Sequence, residues 1–386
     1  MIRGIATGLD EGRTIHLMEE LCREAAEYRF EVAPNPCVGA AVFAGERELA
    51  RGFHRWWGGP HAEIEALAAA AESDLPRERW DLLVVTLEPC SSHGKTGPCV
   101  EAILAAGIPR VVVGALDPDP RQCGAGIERL RAAGVEVVVL EGTAPIERVA
   151  PHFTRWMSAD RLRRPRPWTI AKWAQTRSGQ LTPPGDVGGG RWISTSASLE
   201  EVAVLRGRVD AIVSGVGTVL ADDARFTVRP PGDIAAAPLR VILDSCLRTR
   251  PEAALLQSPA AGEGAGAVHF LALAGVGARR AEALRAAGSS VHGLHGAEGG
   301  GHVSLSEVGA WLWEAGVRRV LLEAGPTLLQ AWLSAGAVDQ VRVYTGAVNG
   351  GRGPSMGEWL GAAILDGRRE RECGEDAVLE GFPRPV

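Results

Sequence analysis

Three short motifs constrain this 386-residue chain more than anything else in it: His61-Ala62-Glu63, Glu88-Pro89-Cys90 and Pro98-Cys99. One His and two Cys can hold a zinc ion and leave a fourth position open for water, which distinguishes a catalytic zinc site from a closed structural one. A Glu two residues beyond the ligand His can move protons without binding metal. The competing reading is a structural zinc or a pair of buried thiols. A structural site needs a fourth protein ligand; closely spaced Cys pairs are absent, and His93, between the cysteines, is the candidate.

The length predicts two or three domains, and 46% hydrophobic with 23% charged residues is ordinary globular composition. A net charge of -6 and 5% aromatic residues argue against a nucleic-acid-editing protein, which needs a basic, aromatic-lined groove. No apolar run reaches membrane-spanning length, and the first residues lack the apolar stretch of a signal peptide. Seven cysteines, an odd count, predict reduced thiols and a cytoplasmic protein. Cys90 and Cys99 are placed for metal, and Cys22, Cys37, Cys123, Cys246 and Cys373 are expected to pack as small hydrophobes.

Helix and strand patterns alternate through the first 150 residues. Thr14 is expected to cap a helix with Leu17, Leu21, Ala25 and Tyr28 on its apolar face. Strands are expected at 38–43 and 49–53. A helix beginning near His61 carries the apolar residues Ile64, Leu67 and Ala68. Residues 82–87 are a continuous apolar run, which predicts a buried strand. A helix over 98–106 should stop at Gly107. A strand at 111–116, a helix near 127–133 and a strand at 135–140 complete an α/β/α domain. The Pro- and Arg-rich stretch 161–168 reads as a linker whose charges form a solvated face. Beyond it, strands are expected at 169–173, 211–214, 240–244, 268–272, 320–323 and 340–344. Helices are expected at 198–206, 279–287, 307–315 and 327–334, with loops at 183–190, 230–238 and 258–266. The expected division is a domain over 14–160 and another over 167–386.

The predicted elements put His61 and Cys99 at helix starts, where the helix dipole favours thiolate, and Cys90 after the buried strand. A His/Cys/Cys zinc with a nearby Glu is the arrangement of zinc nucleobase deaminases. In that reading Glu63 takes the proton of the attacking water, protonates the ring nitrogen and assists the departure of ammonia.

The surrounding motifs narrow this further. They are PNPCVG at 34–39, GFH at 52–54, GGPHAE at 58–63, TLEPCSSHGKTGPC at 86–99 and DPDP at 117–120. With Cys90 and Cys99 nine positions apart (99 − 90 = 9), they strongly resemble the deaminase half of the bifunctional riboflavin-biosynthesis deaminase–reductase family. Other nucleobase deaminases more often place the cysteines at CxxC. The second half shows Lys172, RWIS at 191–194, LRGRVDAIVSGVGTVLADD at 205–223, FTVR at 226–229, VILDS at 241–245 and EAGPTL at 323–328. These look like the reductase domain of the same family.

The resemblance implies a cytidine-deaminase-like α/β/α domain followed by a dihydrofolate-reductase-like α/β domain. It implies one zinc per chain, NADPH, and a phosphoribosylaminopyrimidine substrate. The first domain would replace a ring amino group by oxygen, and the second would reduce the ribosyl chain to ribityl. It carries His61, Cys90 and Cys99 over as zinc ligands and Glu63 as proton carrier. Substrate contacts would be Asn35, His54, Lys95 and Asp117 in the first half, and Lys172, Arg206, Phe226, Arg229 and Glu323 in the second. NADPH contacts would be Ala174, Trp192, Thr218, Asp222, Ser245, Gly325, Thr327 and Leu328. The reductase resemblance also suggests a homodimer. No GxGxxG follows a strand, so a Rossmann cofactor site is not indicated.

Several positions depart from the family pattern. Thr176-Arg177-Ser178-Gly179 stands where Ser-Leu-Asp-Gly is usual, Gly190 where a substrate-binding Ser is expected, Ala224 in place of a Pro, and Asp119 in place of an Asn. The rival they raise is a monofunctional deaminase, on this or a related pyrimidine, with a degenerate reductase domain. A further rival is a deaminase acting on a modified pyrimidine or purine in a side pathway.

Overall fold

A computed structural model describes residues 10–92, 97–140, 150–158, 165–185, 193–228, 237–257 and 264–384. The chain divides into two compact units, Met1–Leu162 and Arg163–Val386. Both are α/β, as the alternating patterns predict.

The first unit is built on β1 (Gly39–Ala44), β2 (Arg47–Phe53), β3 (Leu82–Val85), β4 (Arg110–Val113) and β5 (Glu136–Val139). Their order in the sheet is β2-β1-β3-β4-β5. β1 runs antiparallel to both neighbours, and β3, β4 and β5 are mutually parallel. The period-2 alternation of a strand explains why β3 is apolar throughout. Leu82 and Val84 face one buried cluster, with Leu17, Leu21, Phe43 and Phe153. Leu83 and Val85 face the other, with Ala62, Ala66, Val100 and Ile103. A sheet covered on both faces gives the expected three layers.

Three helices differ in detail from the sequence reading. The first helix runs Glu11–Ala25 and its cap is Asp10, whose carboxylate accepts the Arg13 N–H at 2.8 Å. Thr14 lies inside that helix, its hydroxyl donating to the Asp10 carbonyl. The helix after His61, Ala62–Ala70, buries Ala62, Glu63, Ala66 and Ala70, while Ala68 is exposed and Ile64 and Leu67 are half-buried. Small residues line the buried face because β2 passes close by: a Cβ on Gly52 would lie 2.2 Å from the Ala66 nitrogen and 2.3 Å from the Ala62 carbonyl oxygen. Gly52→Ala should therefore push this helix off the sheet and destabilise the unit by about 1–3 kcal/mol or more, the usual cost of overpacking. Urea unfolding of the variant checks it, with zinc content as a second readout because His61 caps the same helix. The helix Pro151–Trp156 has no counterpart in the periodicity.

In the second unit the strands are β6 (Trp168–Gln175), β7 (Gln180–Thr182), β8 (Ala211–Gly215), β9 (Leu239–Leu243), β10 (Val268–Leu273), β11 (Ser290–Leu294), β12 (Arg319–Leu322), β13 (Gln340–Thr345), β14 (Arg352–Ser355), β15 (Leu365–Cys373) and β16 (Asp376–Pro383). Nine form one sheet in the order β11-β10-β9-β8-β12-β6-β13-β16-β15. It is parallel from β11 to β13, and β16 and β15 add an antiparallel hairpin. β7 and β14 pair separately. The chain moves outward from β8 through β9 and β10 to β11, then returns to place β12 beside β8. Ligands of open α/β sheets bind beyond the carboxyl ends of strands at such a switch.

The β15–β16 hairpin escapes the apolar pattern because the charged Glu380 shares its buried positions with Val378 and Phe382. Glu380, fully buried, is paired with Arg342, Arg369 and Arg371, at 2.5, 2.7 and 3.2 Å. Glu201, on the helix Ser196–Gly207, takes Arg371 and the Tyr344 hydroxyl. Arg166 is not part of a solvated face: it pairs with Asp339 at 2.8 Å and donates to the carbonyls of Gly336 and Ala337. Cys123 and Cys246 are exposed, against expectation; Cys22 and Cys37 are buried and Cys373 is half-buried.

Candidate active sites

In the first unit the helix Ala62–Ala70 starts at His61 and the helix Cys99–Ala106 starts at Cys99. Cys90 lies in the segment that leaves β3. The fold brings the Nδ1 of His61 to 3.6 Å from the Sγ of Cys90 and 3.3 Å from the Sγ of Cys99. All three ligand atoms lie within 4.8 Å of one another. Tetrahedral zinc with ordinary Zn–S and Zn–N bonds separates such atoms by about 3.5 Å, so the donor set and its spacing fit that ion. The Cys99 N–H donates to the Cys90 sulfur at 3.3 Å. Hydrogen bonding from the Cys99 thiol, with that N–H and His61, holds the Cys90 thiol far below the usual thiol range.

Glu63 is in the first turn of its helix and 3% exposed. Burial pushes its carboxyl above the usual carboxylate range, against the pull of His61. A raised carboxyl is suited to accept and return a proton near neutrality. His54 packs edge-on against His61, ring centroids 5.2 Å apart. The His54 Nδ1 lies 2.8 Å from the Pro60 carbonyl and therefore carries the proton, leaving Nε2 to accept from the Asn35 amide at 3.2 Å. Asn35 is itself held by His152, whose Nε2 donates to its carbonyl at 2.9 Å. Asp117 is pushed up to about 6, chiefly by burial. Its carboxylate accepts the Asp119 N–H, and the departure at Asp119 is neutralised locally by Arg121, Nη2 to Oδ2 at 2.6 Å. Lys95 and His93 lie outside the described residues.

In the second unit Lys172 on β6, Glu323 just after β12 and Arg206 on the helix Ser196–Gly207 come together. Arg206 grips Glu323 bidentately at 2.6 and 2.8 Å, and the Lys172 ammonium lies 3.6 Å from the same carboxylate. Burial alone would raise the Glu323 carboxyl, but Arg206 and Lys172 hold it at about 2. Arg206 also donates to the Thr227 carbonyl, beside Phe226, which is buried with φ 53°. Such a conformation is uncommon for a bulky residue and is sustained only by its surroundings. Arg229 lies outside the described residues.

The positions expected to contact NADPH follow the carboxyl ends of neighbouring strands: Thr218 after β8, Gly325, Thr327 and Leu328 after β12, and Ser245 after β9, while Ala174 is on β6. A Cβ on Gly215 would lie 3.2 Å from Leu328, and one on Gly325 3.9 Å from the Thr218 hydroxyl, so these two loops adjoin at the switch. Gly325 caps the helix Pro326–Ser334, whose first intrahelical N–H is that of Leu329. The amides of Thr327 and Leu328 thus remain for an anionic group. Asp222 is exposed at the end of the helix Val216–Asp222, and Trp192 lies outside the described residues.

Of the departures, Ser178 has a clear partner. It donates to the Gly350 carbonyl at 3.1 Å and accepts the Gly350 N–H at 2.8 Å, which an ionised acid cannot do. Gly190 lies outside the described residues. Sequence reading missed the supporting roles of Glu88, His152 and Thr227. Glu88 and Thr227 are inside recognised motifs, whereas nothing in the sequence marks His152.

Fold and sites together define a two-domain enzyme that joins a zinc-dependent deaminase to a dinucleotide-dependent reductase. The family model for the cytidine and deoxycytidylate deaminase zinc-binding region matches residues 13–115, and that for the RibD C-terminal domain matches residues 167–364. The chain is 33% identical over 352 residues to the riboflavin biosynthesis protein RibD of Aquifex aeolicus, covering 90% of this chain and 92% of that one. It is 32% identical over 340 residues to RibD of Escherichia coli, covering 85% and 86%. Among solved structures, the deaminase/reductase of Thermotoga maritima matches with TM-score 0.62 and 26% identity over 96% of this chain and 99% of that one. Acinetobacter baumannii RibD does so with the same TM-score, identity and coverage. The chain belongs to the RibD family of riboflavin-biosynthesis proteins, and both its domains are those of a bifunctional deaminase and reductase; nothing among the described residues adds support to a degenerate second half.

Proposed function

We propose that the first unit deaminates the ring of 2,5-diamino-6-(5-phosphoribosylamino)pyrimidinone and that the second reduces the ribosyl chain of the product to ribityl. The observation that carries this is the convergence of His61, Cys90 and Cys99 beside the buried carboxyl of Glu63. Zinc, when bound by the three ligands, supplies the Lewis acidity that makes water nucleophilic at neutral pH. Glu63 takes the water proton, returns it to the ring nitrogen and then serves the leaving amine. Asn35, His54 and Asp117 orient the pyrimidine, and Lys95 takes the phosphate. In the second unit Lys172 and Arg206 are oriented by Glu323, with Phe226 and Arg229 completing the substrate side. NADPH, when bound, supplies the hydride. Gly325, Thr327, Leu328 and Thr218 hold it at the β8–β12 switch, with Ala174, Trp192, Asp222 and Ser245 as further contacts. The same reading takes the enzyme as cytoplasmic, supported by its cysteine usage, and as a homodimer through the reductase half, which light scattering checks as twice the chain mass. No helix among the described residues is long and apolar enough to cross a membrane.

Mass spectrometry of zinc-loaded protein given the ring-opened GTP product tests the reading. Deamination adds about 1 Da. Hydride transfer adds about 2 Da more, and only with NADPH. Absence of the first shift despite bound zinc removes the substrate assignment; absence of the second removes the reductase assignment.

A pH prediction follows from the carboxylates of the second unit. Glu323 and Glu201 are both held at about 2, below the ordinary 4.5. Their ionised forms stabilise the folded unit fully above the ordinary value, and that stabilisation is lost as pH falls through about 2. Urea midpoints should thus be level above about pH 5 and fall steadily below it. Glu201→Gln should flatten that fall.

A further inference from the structure

We infer that Glu88 is a positioning residue of the deaminase half: its buried carboxylate locks the segment carrying Cys90 against the loop carrying Asp117. This rests on the function proposed above. Glu88 is 5% exposed and stands two residues before Cys90. Its Oε2 accepts the N–H of Gly124 at 2.9 Å and of Asp117 at 3.2 Å, and its Oε1 accepts the N–H of Gly126 at 2.9 Å. The Glu88 backbone N–H adds a bond to the Ala115 carbonyl at 2.9 Å. All four partners belong to the one segment that runs from β4 into the helix Ala125–Ala132.

That helix begins at Gly124, a left-handed glycine with no side chain to cap the first amides. Glu88 supplies the cap from another part of the chain, with a negative charge where the helix dipole favours one. The contact is close on both sides. A Cβ on Gly126 would lie 2.1 Å from the Pro89 carbonyl oxygen, so the helix start rests directly on the residue next to Cys90. One carboxylate thereby sets both the position of a zinc ligand and the backbone of a substrate-facing acid.

An ionised carboxylate accepts on both oxygens, whereas an amide accepts on one and turns an N–H donor toward the other partner. Glu88→Gln preserves the shape but must break either the Gly126 bond or the Gly124 and Asp117 pair. Displacement of substrate-positioning groups on the ångström scale costs up to about 10²-fold. Deaminase kcat/KM of Glu88→Gln should therefore fall about 10- to 100-fold, with a larger change in KM than in kcat. Zinc content and the reductase turnover of the same chain should stay at wild-type values. Hydrogen exchange, which needs no activity, should show faster exchange over residues 116–127. Wild-type KM with wild-type exchange would overturn the inference, and so would parallel loss of both activities with an early thermal transition. If the wild-type chain itself fails to deaminate, the functional proposal falls, and the exchange measurement alone decides the role of Glu88 in holding the loop.

Discussion

Glu63→Gln should abolish deamination, by at least the 10²- to 10⁴-fold that a positioned general acid–base group contributes. The side chain is 3% exposed and its carboxyl is raised chiefly by burial. It is therefore poised to take a proton and give it back twice in one turnover. Glutamine keeps the volume and a hydrogen-bonding oxygen but cannot carry that proton. The three ligand atoms belong to His61, Cys90 and Cys99, so zinc content should be unchanged. The mass shift of about 1 Da should disappear while deaminated substrate supplied directly is still reduced. A variant that lost zinc would show instead that Glu63 maintains the site.

Glu323→Gln should remove reductase activity and destabilise the second unit by about 3–5 kcal/mol, the cost of leaving buried charges without their partner. Arg206 and Lys172 are 25% and 15% exposed at the side chain and face Glu323 at 2.6 and 3.6 Å. The neutral amide removes the charge that both cations face, and its N–H group opposes at least one of the donors that now point at the two carboxylate oxygens. The Glu323 backbone adds to the effect, since its carbonyl accepts the Ser214 hydroxyl at 2.6 Å and keeps the altered side chain in place. Urea unfolding with separate probes for each unit is the check. The loss should be confined to the second unit, with deamination retained because the first unit has its own core. Retained reduction would show that Lys172 does not depend on Glu323 for its orientation.

The His/Cys/Cys cluster that could hold zinc was legible because its chemistry is concentrated in a few residue types with few other uses at those spacings. The buried strands β3, β4, β8 and β12 were legible because a strand covered on both faces must be apolar throughout. Helix ends were read less well. Asp10 and Thr14 are both good caps, and only the course of the backbone decides between them. Ile64, Leu67 and Ala68 are the apolar residues the sequence shows on the helix after His61, and only the tight approach of Gly52 explains why alanines form its buried face. The hairpin β15–β16 was invisible to apolar periodicity because the ion pairs of Glu380 interrupt its buried apolar residues.

The sequence alone determined the two α/β units and the family, and it singled out the proposed zinc donors and proton carrier, since each depends on residue identity at short spacing. Tertiary structure alone decided what those residues touch. It placed His152 under Asn35, set Thr227 beside Arg206, and turned Glu88 from a motif letter into the acceptor of three amides. These partners lie 19 to 117 residues apart in pairs such as Asn35 with His54 and Asn35 with His152. Contacts of that range follow from strand order and helix packing, which no local pattern of side chains encodes.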